Sequence, residues 1–118
     1  MMKITTILAS VLLSALSLSA QQDDYKQALR LYEKGMLGRS KMMFDDISQQ
    51  TMQADPAGYS ILCDVRSRVP GYQGRMEAYA AAYPYSVLLP QIRYQHALNV
   101  FDSGDYQEAA IQFATLSE

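Results

Sequence analysis

One short pattern of residues occurs twice in this chain, and that repetition restricts the fold more than any other feature. Four residue types return 69 positions further on, as Ala28 and Ala97, Leu29 and Leu98, Gly35 and Gly104, and Phe44 and Phe113. The distance leaves room for one further copy between them, so the repeating unit spans about 34–35 residues. A period of this size is typical of folds in which one small supersecondary unit stacks on the next.

Each copy of the pattern has the periodicity of two helices joined by a tight turn. Within residues 24–49 the apolar side chains recur at steps of three and four, and Gly35 interrupts them. A glycine that adopts a positive φ commonly ends a helix, so we predict a helical hairpin here. The same reasoning predicts a helix over about 90–101, a turn with Asp105 as the cap of the next helix, and a last helix over 106–116.

The middle of the chain is less regular, but it also lacks any strand pattern. Asp55 is followed by a proline, which predicts a cap and a first turn, and hence a helix from Pro56 to about Arg66. A Val-Pro-Gly turn at 69–71 precedes an alanine- and tyrosine-rich helix that Pro84 ends. The chain is therefore predicted to be all-α, with about three stacked antiparallel hairpins made of six helices.

The first twenty residues have the composition of a secretory signal peptide. Lys3 precedes an apolar run that is shorter than the ~20 residues a membrane-spanning helix needs, and small residues precede Gln21. Cleavage after Ser19 or after Ala20 fits this pattern, and no cysteine follows either position to accept a lipid. We therefore predict that residues 1–20 are a signal peptide. The predicted product is exported and soluble, without a transmembrane helix, in the periplasm or at the outer membrane.

The repeated positions resemble the tetratricopeptide repeat, in which small residues, aromatic residues and a glycine follow a fixed order. The third copy matches this order with Ala97, Val100, Gly104, Tyr106, Ala109 and Phe113, and the first with Ala28, Leu31, Gly35, Ser40 and Phe44. With its signal peptide, the chain is similar to the N-terminal part of large exported tetratricopeptide-repeat proteins of Bacteroidetes-type bacteria. The resemblance implies a right-handed solenoid with repeats at about 21–52, 53–85 and 86–118, continuing beyond residue 118 in the natural protein.

In tetratricopeptide repeats the first helix of each hairpin lines a concave groove that binds partners. Carried over to this chain, the resemblance implies ten groove residues: Gln22, Tyr25, Leu29, Tyr32 and Glu33 in the first copy, and Gln91, Tyr94, Leu98, Phe101 and Asp102 in the third. Both sets present glutamine, tyrosine, leucine, an aromatic residue and an acid in the same order. The alternative is that these aromatic side chains only pack one hairpin against the next.

Residues that could support catalysis or bind a metal ion are few and scattered. Cys63 is the only cysteine and is expected to be a buried structural thiol, while His96 is the only histidine and is expected at the surface or between repeats. The acidic pairs at 23–24 and 45–46 fit a helix start and a solvated helix face, and the methionines fit core positions. The 10 basic and 12 acidic residues, with a net charge of −2, form no run of either sign. We therefore predict no catalytic residue, no cofactor, no metal ion and no nucleic acid partner.

A binding protein without catalytic activity is the function that these features favour. We interpret the chain as a protein–protein interaction scaffold of the bacterial cell envelope that binds a protein or peptide through the concave groove. Two other interpretations stay open, namely a helical protein that captures glycans or peptides for outer-membrane uptake, and a regulatory module attached to a downstream enzyme. The last hairpin has more apolar residues than one partner helix can bury, so self-association through this hairpin is also expected.

Overall fold

The computed structural model describes residues 22–116, and within this range the chain is entirely helical, without a β-strand. The six helices are α1 (22–33), α2 (Leu37–Thr51), α3 (Ala54–Ser67), α4 (Tyr72–Ala82), α5 (Leu89–Asp102) and α6 (Tyr106–Leu116). The prediction of an all-α chain is confirmed for these residues. No helix in this part of the chain has the length and apolar character needed to cross a membrane. The predicted signal peptide lies outside the described residues.

The helices pack as three consecutive pairs. Helix α3 belongs to the second pair and contacts one other helix in each of the three. In the first pair, the Ser40 hydroxyl of α2 donates a hydrogen bond to the carbonyl oxygen of Ala28 in α1, at 2.9 Å. Helix α3 packs against α2, against its own partner α4 and against α5, which in turn packs against α6. The arrangement of the pairs therefore depends on this one helix.

Two apolar clusters lie on different faces of α3. The first cluster consists of Ala28, Phe44, Ile47 and Cys63, and the second consists of Leu62, Val65, Met76, Tyr79, Leu88, Leu89 and Ile92. Leu62 and Cys63 are neighbours in α3 but enter different clusters. Because a helix places consecutive side chains about a quarter-turn apart, α3 is buried on two faces rather than along one stripe.

The predicted turns and the predicted cap of α6 are present. At the end of α1, the amide of Met36 donates to the carbonyl oxygen of Leu31 at 2.9 Å, and Gly35 adopts a φ of 78°. This pair of features is the Schellman motif, which satisfies carbonyl groups that the helix leaves without a partner. At the start of α6, the Asp105 carboxylate accepts a hydrogen bond from the amide of Glu108 at 3.2 Å, which confirms the predicted cap.

Helix α3 begins earlier than the sequence pattern predicts. It starts at Ala54, with Gln53 as the preceding cap residue, so Asp55 lies in the first turn instead of capping it. The chain can continue its helix through Pro56 because amides of the first turn have no helical partner, and a proline there loses no hydrogen bond. Asp55 then stabilises the helix start through its charge.

A buried carboxylate joins the first two helix pairs. The side chain of Asp64 in α3 is only 1% exposed, and its two oxygens contact two cations. The Lys41 ammonium of α2 lies 2.6 Å from one oxygen, and the Arg75 guanidinium of α4 lies 2.9 Å from the other. A buried charge is tolerated only when it is paired and hydrogen-bonded, so α2 and α4 must both reach Asp64.

Removing both cations should cost far more stability than removing the whole triad. The double substitution Lys41→Met and Arg75→Met leaves the Asp64 carboxylate buried without a cation, so we expect the free energy of unfolding to fall by about 3–5 kcal/mol. Adding Asp64→Leu should restore most of this loss, because no charge then stays buried. Urea unfolding followed by circular dichroism measures both values. Equal stability of the double and triple variants would contradict this account.

A glycine at position 52 should be tolerated or stabilising, although the residue ends a helix. Met52 has a φ of 53°, a left-handed conformation that costs an L-residue roughly 1–2 kcal/mol, and its side chain is 80% exposed. We expect Met52→Gly to raise the free energy of unfolding by up to about 1 kcal/mol, because glycine adopts this conformation without strain. Met42→Gly is the matched control, since Met42 is 70% exposed but lies inside α2. The control should lose about 1 kcal/mol in the same urea titration, and a similar loss in both variants would refute the prediction.

Candidate partner-binding surface

The aromatic residues predicted for the groove in α1 lie against α3. Tyr59 of α3 stacks on Phe44 of α2 with ring centroids 5.1 Å apart, and it meets Tyr25 at 6.4 Å and Tyr32 at 5.5 Å, edge to face. The guanidinium of Arg66 lies 4.9 Å from the centre of the Tyr32 ring. Burial raises the pKa of Tyr25 and of Tyr59 above the usual value. These contacts join the first helix pair to α3, and we call the four rings the first aromatic cluster.

The other predicted groove residues of α1 lie around this cluster. Gln22 and Glu33 are exposed, and Leu29 is half-buried against the first apolar cluster. Gln22 and Tyr25 also line a 430 Å³ cleft, together with Asp55 from the start of α3. In α1, therefore, only polar side chains of the predicted set are well exposed.

The matching residues of α5 lie on an open face. Tyr94 is 51% exposed and Phe101 is 48% exposed, while Gln91 is exposed and Leu98 is half-buried. Asp102 accepts a hydrogen bond from the Arg68 guanidinium at 2.6 Å, in an ion pair that is exposed on both sides. Helix α5 thus presents two large aromatic rings to solvent.

The aromatic residues of α5 continue onto α6. Tyr94 lies 5.8 Å from Phe113, and Phe101 lies 5.0 Å from Tyr106, measured between ring centroids. Tyr106 is 63% exposed. We call these four rings the α5–α6 aromatic surface. It brings together four residues predicted for two different roles, since Tyr106 and Phe113 were expected as packing positions, and Tyr94 and Phe101 as groove positions.

Most of the predicted packing positions are buried. Those at most 9% exposed are Ala28, Leu31, Ser40, Phe44, Ala97 and Ala109, while Val100 and Phe113 are half-buried, and Gly35 and Gly104 form turns with positive φ. Tyr106 lies at the surface, where its ring contacts Phe101, which is itself half exposed. Cys63, 1% exposed, takes the small position of the middle pair, at a spacing of 35 residues from Ala28 and 34 from Ala97. That spacing was present in the sequence and is the signal that could have identified it.

A neutral hydrogen-bond network joins α5 to α3 and α4. The Asn99 side chain donates to the carbonyl oxygen of Val65 at 2.7 Å and to the Tyr72 hydroxyl oxygen at 3.3 Å. The Tyr72 hydroxyl lies 2.7 Å from Nδ1 of His96 and donates to it in the neutral tautomer that carries its proton on Nε2. Burial lowers the pKa of His96, and Arg93 acts in the same direction, whereas Glu77 opposes this shift. Of the two expected locations, His96 therefore occupies the one between repeats.

The remaining side chains that could support catalysis or bind a metal ion have structural roles in the fold. Burial raises the pKa of the Cys63 thiol, which packs in the first apolar cluster, whereas His96 bonds to Tyr72. Asp45 accepts a hydrogen bond from the Ser60 hydroxyl, so one acid of the 45–46 pair contacts α3 instead of solvent alone. Within residues 22–116 no three metal-binding side chains come together. The expectation that the methionines fill the core is right for Met76, which is 3% exposed, and wrong for the exposed Met36, Met42 and Met52.

Comparison with known proteins adds no assignment. The chain matches no family model, no curated protein and no solved structure.

Acid should destabilise the fold through His96. Because burial lowers its pKa below the unfolded value of 6.5, the unfolded state binds the proton first as the pH falls. The contribution of neutral His96 is therefore intact above pH ~6.5 and is lost progressively below it. We expect the melting temperature to drop more between pH 7 and pH 5 in the natural chain than in His96→Gln, whose amide retains an acceptor for Tyr72 but does not titrate. Parallel curves for the two proteins would rule out this role for His96.

Proposed function

We propose that this protein is a non-catalytic protein–protein interaction scaffold of the bacterial cell envelope. Its helix pairs form a right-handed, tetratricopeptide-like stack, and the partner is an exported or outer-membrane protein or peptide. The partner binds along the first helices of the pairs, at the exposed Gln22 and Glu33 of α1 and at the residues named above for α5. Residues 1–20 act as the export signal, and the processed protein works in the periplasm or at the outer membrane.

The observation that carries this proposal is the half-exposed aromatic face of α5. Tyr94 and Phe101 are about half exposed and each contacts a ring of α6, and grouped exposed apolar side chains often mark an interaction site. Aromatic side chains contribute a large contact area and lose little conformational entropy on binding, so they often supply most of the affinity of an interface. The helix that presents them is held by buried contacts, since Ile92, His96 and Asn99 on its other side are at most 9% exposed.

A capture experiment tests the proposal. Immobilised protein is exposed to periplasmic extract of the host, and the bound material is analysed by mass spectrometry for proteins and by sugar analysis for glycans. We expect specific proteins to be retained by the natural chain and lost with the double substitution Tyr94→Ala and Phe101→Ala. Tyr85→Ala is the matched control, because Tyr85 is 95% exposed but lies in the loop between α4 and α5.

Three outcomes would overturn the proposal. Retention of glycans instead of proteins would favour a capture protein for uptake. Equal retention of proteins by the natural chain and the double variant would remove α5 from the binding surface. An intact sequence from residue 1 in protein recovered from the cell envelope, read by N-terminal sequencing, would show that residues 1–20 are not a cleaved signal peptide.

A further inference from the structure

Helix α5 is attached to α3 and α4 in two different ways along its length. Leu89 and Ile92, in its first half, belong to the second apolar cluster. Within the described residues, no side chain of α5 after Ile92 is part of either apolar cluster. The second half of α5 (residues 96–102) instead presents the buried polar residues His96 and Asn99, which hydrogen-bond to α4 and α3. Its position against these helices therefore depends on polar contacts.

Another link between this half of α5 and the end of α3 is weak. It is the ion pair between Arg68 and Asp102, whose side chains are 57% and 51% exposed. Exposed ion pairs contribute little to stability, because water screens the charges. The hydrogen-bond network of His96, Asn99 and Tyr72 is therefore the main attachment of the second half of α5.

The network has one arrangement of hydrogens in which each group has a partner. Asn99 donates to the Tyr72 hydroxyl oxygen, and this hydroxyl donates to Nδ1 of His96 at 2.7 Å, so Nδ1 carries no hydrogen. A hydrogen on Nδ1 would point at the same oxygen, and the Tyr72 hydroxyl would have to turn to another acceptor. Among the described residues, this hydroxyl has no hydrogen-bond partner besides His96 and Asn99. The network therefore requires a neutral imidazole with its proton on Nε2.

A proton on Nδ1 also places a charge on a side chain with little access to water. His96 is 6% exposed, and α3 joins the network through the neutral carbonyl group of Val65. Burial lowers the pKa of His96 and Arg93 of α5 reinforces this shift, whereas Glu77 of α4 and Glu108 of α6 oppose it. The two carboxylates thus compensate only part of the cost of burial. Protonation therefore favours a conformation in which the ring reaches water.

A movement of the second half of α5 would change the α5–α6 aromatic surface. Tyr94 lies before His96, in the half that the second apolar cluster holds, whereas Phe101 lies in the half that the network holds. Tyr94 contacts Phe113, and Phe101 contacts Tyr106. The movement would therefore displace one pair of rings relative to the other.

We propose that protonation of His96 releases the second half of α5 from α3 and α4 while the first half stays packed, and that this release weakens partner binding at the α5–α6 aromatic surface. Neutral His96 holds the surface in the arrangement described above, and acid opens it. The release itself stands on the geometry of the network. Its effect on the partner rests on the proposed scaffold function and adds regulation by pH to it.

Hydrogen exchange measured by NMR at single amides tests the release in the protein alone. His96→Gln retains an acceptor for Tyr72 but does not titrate, and the natural chain and this variant are compared at pH 7.5 and pH 5.5. An exposed imidazole has a pKa of 6.5, so at pH 5.5 the released form is favoured by up to about tenfold in the natural chain.

We expect the exchange rate of the amides of residues 97–102, relative to the variant, to rise by up to the same factor between the two pH values. Because the proteins are compared at the same pH, the pH dependence of the exchange chemistry cancels. His96→Asn, which does not titrate either, replaces His96→Gln if that variant melts early. A ratio that is the same at both pH values overturns the proposal.

The pattern of exchange separates partial release from unfolding of the whole chain. Release leaves both apolar clusters intact, so the amides of residues 97–102 should exchange at least about tenfold faster than those of residues 62–65 in α3, at both pH values. Equal rates in the two segments contradict the proposal, because the chain then opens as a whole.

Tyr72→Phe distinguishes the network from burial alone. His96 is the only histidine, so its ring gives one titrating NMR signal. We expect the pKa of His96 to rise toward 6.5 in this variant, because the neutral ring loses the hydrogen bond that the Tyr72 hydroxyl donates. Tyr83→Phe is the matched control and should leave the pKa unchanged, since Tyr83 is also half-buried but lies outside the network. If Tyr72→Phe leaves the pKa unchanged as well, the network does not control the proton and the proposal is wrong.

Capture of envelope proteins at the two pH values tests the effect on the partner. We expect retention by the natural chain to be lower at pH 5.5 than at pH 7.5, and retention by His96→Gln to change less. The same change in both proteins overturns the proposed regulation.

The proposed function fails separately from this inference. If envelope proteins are retained in a manner that depends on Tyr94 and Phe101 but exchange shows no release, the scaffold stands and the inference is wrong. If neither protein retains envelope proteins at pH 7.5 but exchange shows the release, the scaffold function is wrong and the acid-dependent release stands.

Discussion

The buried carboxylate of Asp64 requires cations beside it. This requirement constrains the positions of α2, α3 and α4. Coulomb attraction between unit charges is several-fold stronger in a protein interior than in water, but desolvation of the charges offsets much of the gain. The ion pairs with Lys41 and Arg75 therefore add little net stability, while an arrangement that separates them from Asp64 is strongly penalised. This asymmetry selects one register of α2 and α4 against α3 among the many that apolar packing alone would permit.

The two interfaces between helix pairs and the outer face of the third pair differ in the physical interactions that they contain. The face between the first pair and α3 combines the Asp64 charges with the first aromatic cluster. The face between α3 and α5 has no buried charge in its hydrogen-bond network, which consists of Tyr72, His96, Asn99 and the carbonyl group of Val65. The outer face of the third pair carries the four rings of the α5–α6 aromatic surface. Polar groups that require a particular partner therefore hold the internal contacts, whereas exposed and half-exposed rings form the outer surface of α5 and α6.

Six helices and most small packing positions could be predicted because they depend on local properties, namely the period of the apolar residues and glycines that adopt positive φ. Asp64 could not be assigned a role, because its cations lie 23 and 11 positions away and look like ordinary surface residues in the sequence. The limits of prediction from the sequence are clearest for Tyr25 and Tyr94, which occupy equivalent repeat positions and have the same side chain. One is half-buried and the other half-exposed, because Tyr59 covers the first and its counterpart is missing beside the second within the described residues. Exposure of this kind depends on the neighbouring helix, and the residue's own position in the repeat does not determine it.

The burial of α3 on two faces has a consequence for local opening of the fold. Helix α6 can separate from α5 while both apolar clusters around α3 stay intact, since α6 contributes only Ala109 to the buried residues. Helix α3 cannot separate from its neighbours without exposing both clusters at once. The amide hydrogens of its central turns therefore exchange with solvent only when the whole molecule unfolds, whereas those of α6 exchange through inexpensive partial openings. The protein thus combines a rigid central helix with a terminal helix that can adjust to what lies against it.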